Sequence, residues 1–108
     1  MKVYLSGPIS NTLDYKCRFN DFEKYLKQQG NIEVVNPVTI GIELEKRLQR
    51  TPTYTEYLLE DLKELSQCNI CYFMPGYSTS NGCKVEDSFC DAVGITKEYL
   101  KYNLLITQ

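Results

Sequence analysis

Ile70-Cys71-Tyr72-Phe73-Met74-Pro75-Gly76-Tyr77-Ser78-Thr79-Ser80-Asn81-Gly82-Cys83-Lys84-Val85-Glu86 passes from an apolar run through turn formers into an amphipathic segment. Its first five residues form the short apolar run expected of a strand buried in a sheet. Turn formers follow from Pro75 to Gly82, and a helix then opens with a carboxylate, Glu86, about one turn inside its start. A strand, a polar loop and a helix N-terminus in that order form a common binding place for an anionic or sugar-like ligand. The loop lies at the carboxyl end of a strand, and free backbone N–H groups point outward from the first helical turn.

Outward from that stretch the same alternation repeats. Residues 2–5 read as an apolar strand stopped by Ser6-Gly7-Pro8. From 15 to 29 apolar residues recur at helical spacing (Phe19, Phe22, Tyr25, Leu26), with Gly30 as the stop. A second strand is expected at 32–35, ended by Asn36-Pro37, then a helix over 40–48 broken by Arg50-Thr51-Pro52-Thr53. A longer helix is expected at 55–67 and a strand at 69–74. The helix bearing Glu86 runs to Val93 and stops at Gly94, and 99–107 holds the last strand. Strands alternating with helices predict an α/β fold: one parallel, doubly wound sheet of the flavodoxin or Rossmann type, with helices on both faces. Ligands on such sheets bind beyond the carboxyl ends of the strands, which here means the loops 6–10, 36–39 and 75–82.

Length and composition narrow the class. The 108 residues suit a single domain spanning 1–108, large enough for a real core. A hydrophobic share of 43%, a charged share of 24% and a net charge of −2 with both signs interspersed are those of a globular protein without a basic stripe. Nucleic acid and anionic membranes are therefore not expected as partners. The apolar start turns polar at Ser6-Gly7-Pro8, too soon for a signal peptide, and no run is long enough to span a bilayer, so a cytoplasmic location is expected. Five cysteines are an odd number in a core-rich chain. Cys68-Asn69-Ile70-Cys71 has C-x-x-C spacing but straddles a helix end and a strand start, so all five read as reduced thiols used as small apolar residues. No metal site and no cofactor are expected. The chain contains no histidine, so proton transfer near neutral pH falls to a carboxylate, a tyrosine, a thiol or a lysine.

Helical phase sorts the acids. At about 100° per residue, the apolar stripe of the last helix is set by Gly82, Val85, Phe89, Ala92 and Val93, with Glu86 on its margin and Asp87 and Asp91 toward water. In the preceding helix Leu58, Leu62 and Leu65 set the buried line, Asp61 lies on the margin, and Glu60 and Glu64 are solvated. Two carboxylates on two helices thus border the core, although marginal acids are more often half-exposed solubilising groups. Tyr4, in the first strand, is a third candidate, with packing as the plainer reading. Gly7 suits a tight strand-to-helix turn. Neither a Walker A loop nor G-x-G-x-x-G is present, which removes support for a nucleoside triphosphatase or a dinucleotide enzyme.

Val3-Tyr4-Leu5-Ser6-Gly7-Pro8-Ile9, Asp61-Leu62-Lys63-Glu64-Leu65-Ser66-Gln67-Cys68-Asn69 and Ser80-x-Gly82-x-x-x-Glu86 together resemble the nucleoside 2-deoxyribosyltransferase-like superfamily. The likeness covers roughly residues 2–94 and is closest to its short bacterial and phage branch; the chain is also similar to the 2'-deoxynucleoside 5'-monophosphate N-glycosidases. The resemblance implies that Glu86 attacks C1' of the deoxyribose, that Asp61 assists departure of the base, and that Tyr4 orients the nucleophile. It places Ser80 where the transferases tend to carry an aspartate and the monophosphate glycosidases a phosphate-contacting serine, and it gives Gly7, Gly82 and the loop N–H groups a share in holding the substrate. Pro8 and Ser10 stand where those glycosidases carry a serine and an arginine; Lys84 and Arg18 are the candidates to replace the arginine. The partner so implied is a small-molecule nucleoside or nucleotide, with the site completed across a homo-oligomer interface. Two other readings stand beside this enzyme: a non-catalytic nucleotide-binding or sensing module on the same fold, and an interaction protein whose nine tyrosines serve a subunit interface.

Overall fold

A computed structural model describes residues 1–9 and 14–100. Four strands, β1 (Lys2–Ser6), β2 (Glu33–Val35), β3 (Ile70–Phe73) and β4 (Thr96–Tyr99), form one sheet in the order β2-β1-β3-β4. Every neighbouring pair is parallel. Four helices connect them: α1 (Tyr15–Lys27), α2 (Pro37–Leu48), α3 (Tyr54–Leu65) and α4 (Asn81–Val93). This is the flavodoxin-like α/β arrangement expected from the alternation. The chain leaves β1 for β2 on one side and returns to β3 on the other, so the strand order reverses between β1 and β3, which is where such sheets open a crevice.

The sheet is covered on both faces because β1 alternates. Val3 and Leu5 pack with Phe19, Phe22 and Leu26 of α1 and with Met74. Tyr4 turns to the opposite face and joins Leu65, Cys71, Phe73 and Cys90 below α3 and α4. Ser6 follows the same parity as Tyr4 and is fully buried. The α2 helix packs on α3: the Tyr57 hydroxyl donates to Glu45 Oε2 at 2.7 Å, and Arg47 pairs with Glu60 at 2.7 Å.

The caps explain why the helices start where they do. Asn36 accepts from the Val38 N–H at 2.9 Å, and Pro37 occupies the first helical position, so α2 opens three residues before the expected 40. Thr53 and Glu56 form a complete capping box at the start of α3. Ser80 caps α4 by accepting from the Cys83 N–H, and Gly94 ends that helix in the left-handed conformation at φ 81°.

The expected place of the last strand is corrected. The last strand lies at Thr96–Tyr99 rather than 99–107; residues 101–107 of the expected span lie outside the described residues. Its sequence lacks an apolar run because β4 is the edge of the sheet, with Lys97 pairing to Asp87 and Asp91 of α4 at 2.8 and 2.7 Å. Gly7 does not take a left-handed turn. A Cβ there would stand 3.0 Å from Met74 Sδ and 3.2 Å from Phe19 Cζ, so close packing beneath the first loop favours glycine. The left-handed turn belongs to Gly76, at φ 88° after Pro75, with the Tyr77 N–H bonded to the Met74 carbonyl. Gly7→Ala is expected to cost about 1–3 kcal/mol of stability through this overpacking, read as a lower urea midpoint with an unchanged slope.

Candidate active site

The cleft at the carboxyl edge of the sheet holds about 940 Å³, within the range of small-molecule sites. Its floor is Tyr4, Gly7, Asp61, Cys83 and Glu86. Tyr15, Lys16 and Arg18 of α1 line one wall, and Gly41, Tyr54, Tyr57 and Leu58 of α2 and α3 line another. Gly76 and the segment Thr79–Gly82 close the side nearest α4. Each of the six residues singled out from the sequence (Tyr4, Gly7, Asp61, Ser80, Gly82, Glu86) borders this one cleft.

Glu86 is more deeply placed than its marginal phase predicts, with only 5% of its surface exposed. The buried line of α4 is Cys83, Glu86 and Cys90, whereas Val85 and Val93 stand 40% and 55% exposed. The stripe read from the valines is therefore rotated. Small thiols pack against the sheet here, as free cysteine commonly does, and that rotation carries Glu86 inward. Cys68 and Cys71 are buried as well; Cys17 is the exposed exception among the five.

A buried carboxylate requires donors, and β1 supplies two. The Tyr4 hydroxyl donates to Glu86 Oε2 at 2.5 Å, and the Ser6 hydroxyl donates to Oε1 at 2.6 Å. Residues two apart on a strand share a face, so the Tyr-x-Ser spacing of β1 matches the two oxygens of one carboxylate on α4. Ser6 was not singled out in the sequence, where Ser6-Gly7-Pro8 reads as a turn. Its signal is the parity it shares with Tyr4.

Burial pushes the Glu86 carboxyl up to about 7, while the hydrogen bonds from Ser6 and Tyr4 pull in the opposite direction. Burial and then the charge of Glu86 push Asp61 up to about 8, with a smaller push from Glu60. Tyr4 is raised well above its ordinary value by burial and by the two carboxylates, so it stays protonated and a donor. Burial raises both carboxyls; the Ser6 and Tyr4 hydroxyls favour the ionised form of Glu86, and the charge of Glu86 favours the protonated form of Asp61. A carboxyl held by two hydroxyl donors and a carboxyl whose protonated form is favoured thus face one cleft.

The remaining expected residues have definite places. Ser80 spends its oxygen on capping α4 while lining the cleft. Gly82 lies against Tyr54, whose hydroxyl would stand 3.3 Å from an added Cβ. Of the two basic candidates, Arg18 lines the cleft, its Nη2 anchored on the Pro75 carbonyl at 2.7 Å. Lys84 points outward from α4 and is not among the cleft residues. Ser10 lies outside the described residues. Among the described residues no cluster of His, Cys, Asp and Glu is arranged to hold a metal ion, and no helix is long and apolar enough to cross a membrane.

Comparison with known proteins gives a family. The chain belongs to the family defined by DUF4406, a domain of unknown function, whose profile matches residues 1–99. No curated protein matches the sequence.

The raised Asp61 carboxyl has a measurable consequence for stability. Between its ordinary 3.8 and the folded value near 8, the folded chain holds a proton that the unfolded chain has released. Stability from this group is complete at low pH and is lost as pH rises through that window. Asp61→Asn removes the loss. Relative to wild type it is expected to gain more than about 1 kcal/mol between pH ~5 and pH ~9 in urea unfolding. A constant difference across that range would show that Asp61 titrates normally.

Proposed function

We propose that this protein cleaves or transfers at the N-glycosidic bond of a 2'-deoxynucleoside or its 5'-monophosphate, through a covalent glycosyl–Glu86 intermediate. The observation that carries the reading is that Glu86, held by two hydroxyls, and Asp61, whose carboxyl is raised by burial and by the Glu86 charge, line one cleft. The likeness of the three sequence motifs to the nucleoside 2-deoxyribosyltransferase-like superfamily points to the same chemistry.

A Glu86 carboxylate oxygen forms a bond to C1' as the C1'–N bond to the base breaks. The Asp61 proton goes to the departing base, which leaves neutral. Water, or the nitrogen of a second base, then attacks C1' and displaces Glu86, giving its proton to the Asp61 carboxylate. The transition state has oxocarbenium character, which the neighbouring carboxylate stabilises. Without a 2'-hydroxyl to withdraw electrons the cation forms more readily, so carboxylates and hydroxyls suffice for the reaction.

Arg18 and Lys16 on the cleft wall favour the monophosphate over the free nucleoside, because a guanidinium binds phosphate strongly and with defined geometry. The aromatic and apolar wall of Tyr54, Tyr57 and Leu58 suits a planar base. Association of subunits over the rim belongs to the same reading, since Ile9, Ile42 and Tyr54 line the mouth and are exposed in the single chain.

Base release from a panel of deoxynucleosides and their 5'-monophosphates, followed by chromatography with and without a second free base, tests the reading. Glu86→Ala is expected to abolish release, and Asp61→Asn to slow it by about 10²–10⁴-fold. The rate should peak between the two carboxyl values near 7 and 8. Binding of nucleotides without turnover by any of them would favour a sensor over an enzyme.

A further inference from the structure

Ser6 is the last residue of β1, and its backbone is fixed on the β3 side: it registers with Phe73, and the Met74 N–H donates to its carbonyl at 2.7 Å. Strand parity then leaves its side chain one direction, toward α4. Its hydroxyl has a single proton, and that proton goes to Glu86 Oε1 at 2.6 Å. The Cys83 thiol of α4 neighbours the same hydroxyl and that of Ser80, so the Ser6 oxygen is flanked by α4 as well. A packing serine in a buried strand end needs none of these contacts; alanine would fill the space.

One donor leaves a carboxylate free to turn about its terminal torsion, which is broad in glutamate. Two donors from one strand, one on each oxygen, fix its plane. A nucleophile needs that restraint, because attack at C1' requires a lone pair held on line with the breaking bond, and small misplacements are costly. Building on the reading of Glu86 as the nucleophile, we propose that Ser6 is a positioning residue that pins Oε1 and thereby sets the orientation of the Glu86 carboxylate toward the cleft.

Among the described residues, the groups around Glu86 are Tyr4 and Ser6 from β1, Cys71 from β3, Asp61 from α3, and Cys83 and Cys90 from its own helix. None of these groups is a cation. The hydroxyl donors are what favours the ionised carboxylate against burial. Removing Ser6 therefore alters the charge state of Glu86 as well as its orientation, which a purely structural serine would not do.

The test is a titration of ¹³C-labelled glutamate carboxyls by NMR in wild type, Ser6→Ala and Ser6→Cys, alongside kcat/KM for base release across pH. In Ser6→Ala the Glu86 midpoint is expected to rise from about 7 by roughly one pH unit. The acid limb of the rate profile should move with it, giving about a tenfold loss near pH ~6 that narrows above pH ~8. Ser6→Cys, similar in size but a weaker donor, should shift part of the way, and it carries the test if the alanine variant does not fold. An unmoved midpoint, or a loss of rate equal at every pH, overturns the proposal. A shifted midpoint in a protein whose wild type releases no base supports the hold of Ser6 on Glu86 while removing the glycosyl-transfer reading on which its catalytic meaning rests.

Discussion

A carboxylate almost wholly removed from water must find donors inside the protein. Glu86 meets that need with two hydroxyls from one strand. That arrangement requires β1 to lie centrally, α4 to cross directly over its end, and the loop between β3 and α4 to deliver the helix at the right height. Each requirement has its own device. The central place of β1 follows from the sheet order, and the height of α4 from the left-handed turn at Gly76 and the Ser80 cap. The close approach of Met74 beneath the first loop depends on the missing side chain at Gly7.

Electrostatics then set apart two acids of similar intrinsic strength. Glu86 is buried but has two donors, so its ionised form survives near neutrality. Asp61, half-buried beside a negative charge, keeps its proton well above the usual carboxylate range. No histidine is needed, because the environment moves two carboxyls into the range where histidine ordinarily works. The outer ion pairs matter less: Arg50–Glu56 and Lys27–Glu23 hold helix ends at the surface, where such contacts contribute little.

Much of this was legible in the sequence, and the misses share a physical cause. The alternation of apolar runs, turn formers and amphipathic stretches was enough for the parallel sheet. Glu86, Asp61 and Tyr4 could be picked out by residue type and the order of the motifs around them. The rotation of α4 was not legible, because hydropathy ranks Val85 and Val93 above Cys83 and Cys90, whereas packing chose the smaller thiols. The edge strand β4 was displaced in the reading because a strand with one free edge has no need of an apolar run. Ser6 was absorbed into a turn signal, since a serine before Gly-Pro usually is one; only the pairing of residues 4 and 6 on a strand face separates the two cases. Family membership adds no chemistry to this picture, because the matching domain carries no assigned activity.

The most direct measurement of the central claim is peptide mass spectrometry of the protein after reaction with a 2'-fluorinated deoxynucleotide, whose electron-withdrawing substituent slows breakdown of a glycosyl ester. If Glu86 is the nucleophile, the sugar mass appears on the α4 peptide at Glu86 and nowhere else, and it disappears when a free base or time is allowed for turnover. Release of the base with Glu86 unmodified throughout, from an analogue shown to react, would contradict the account.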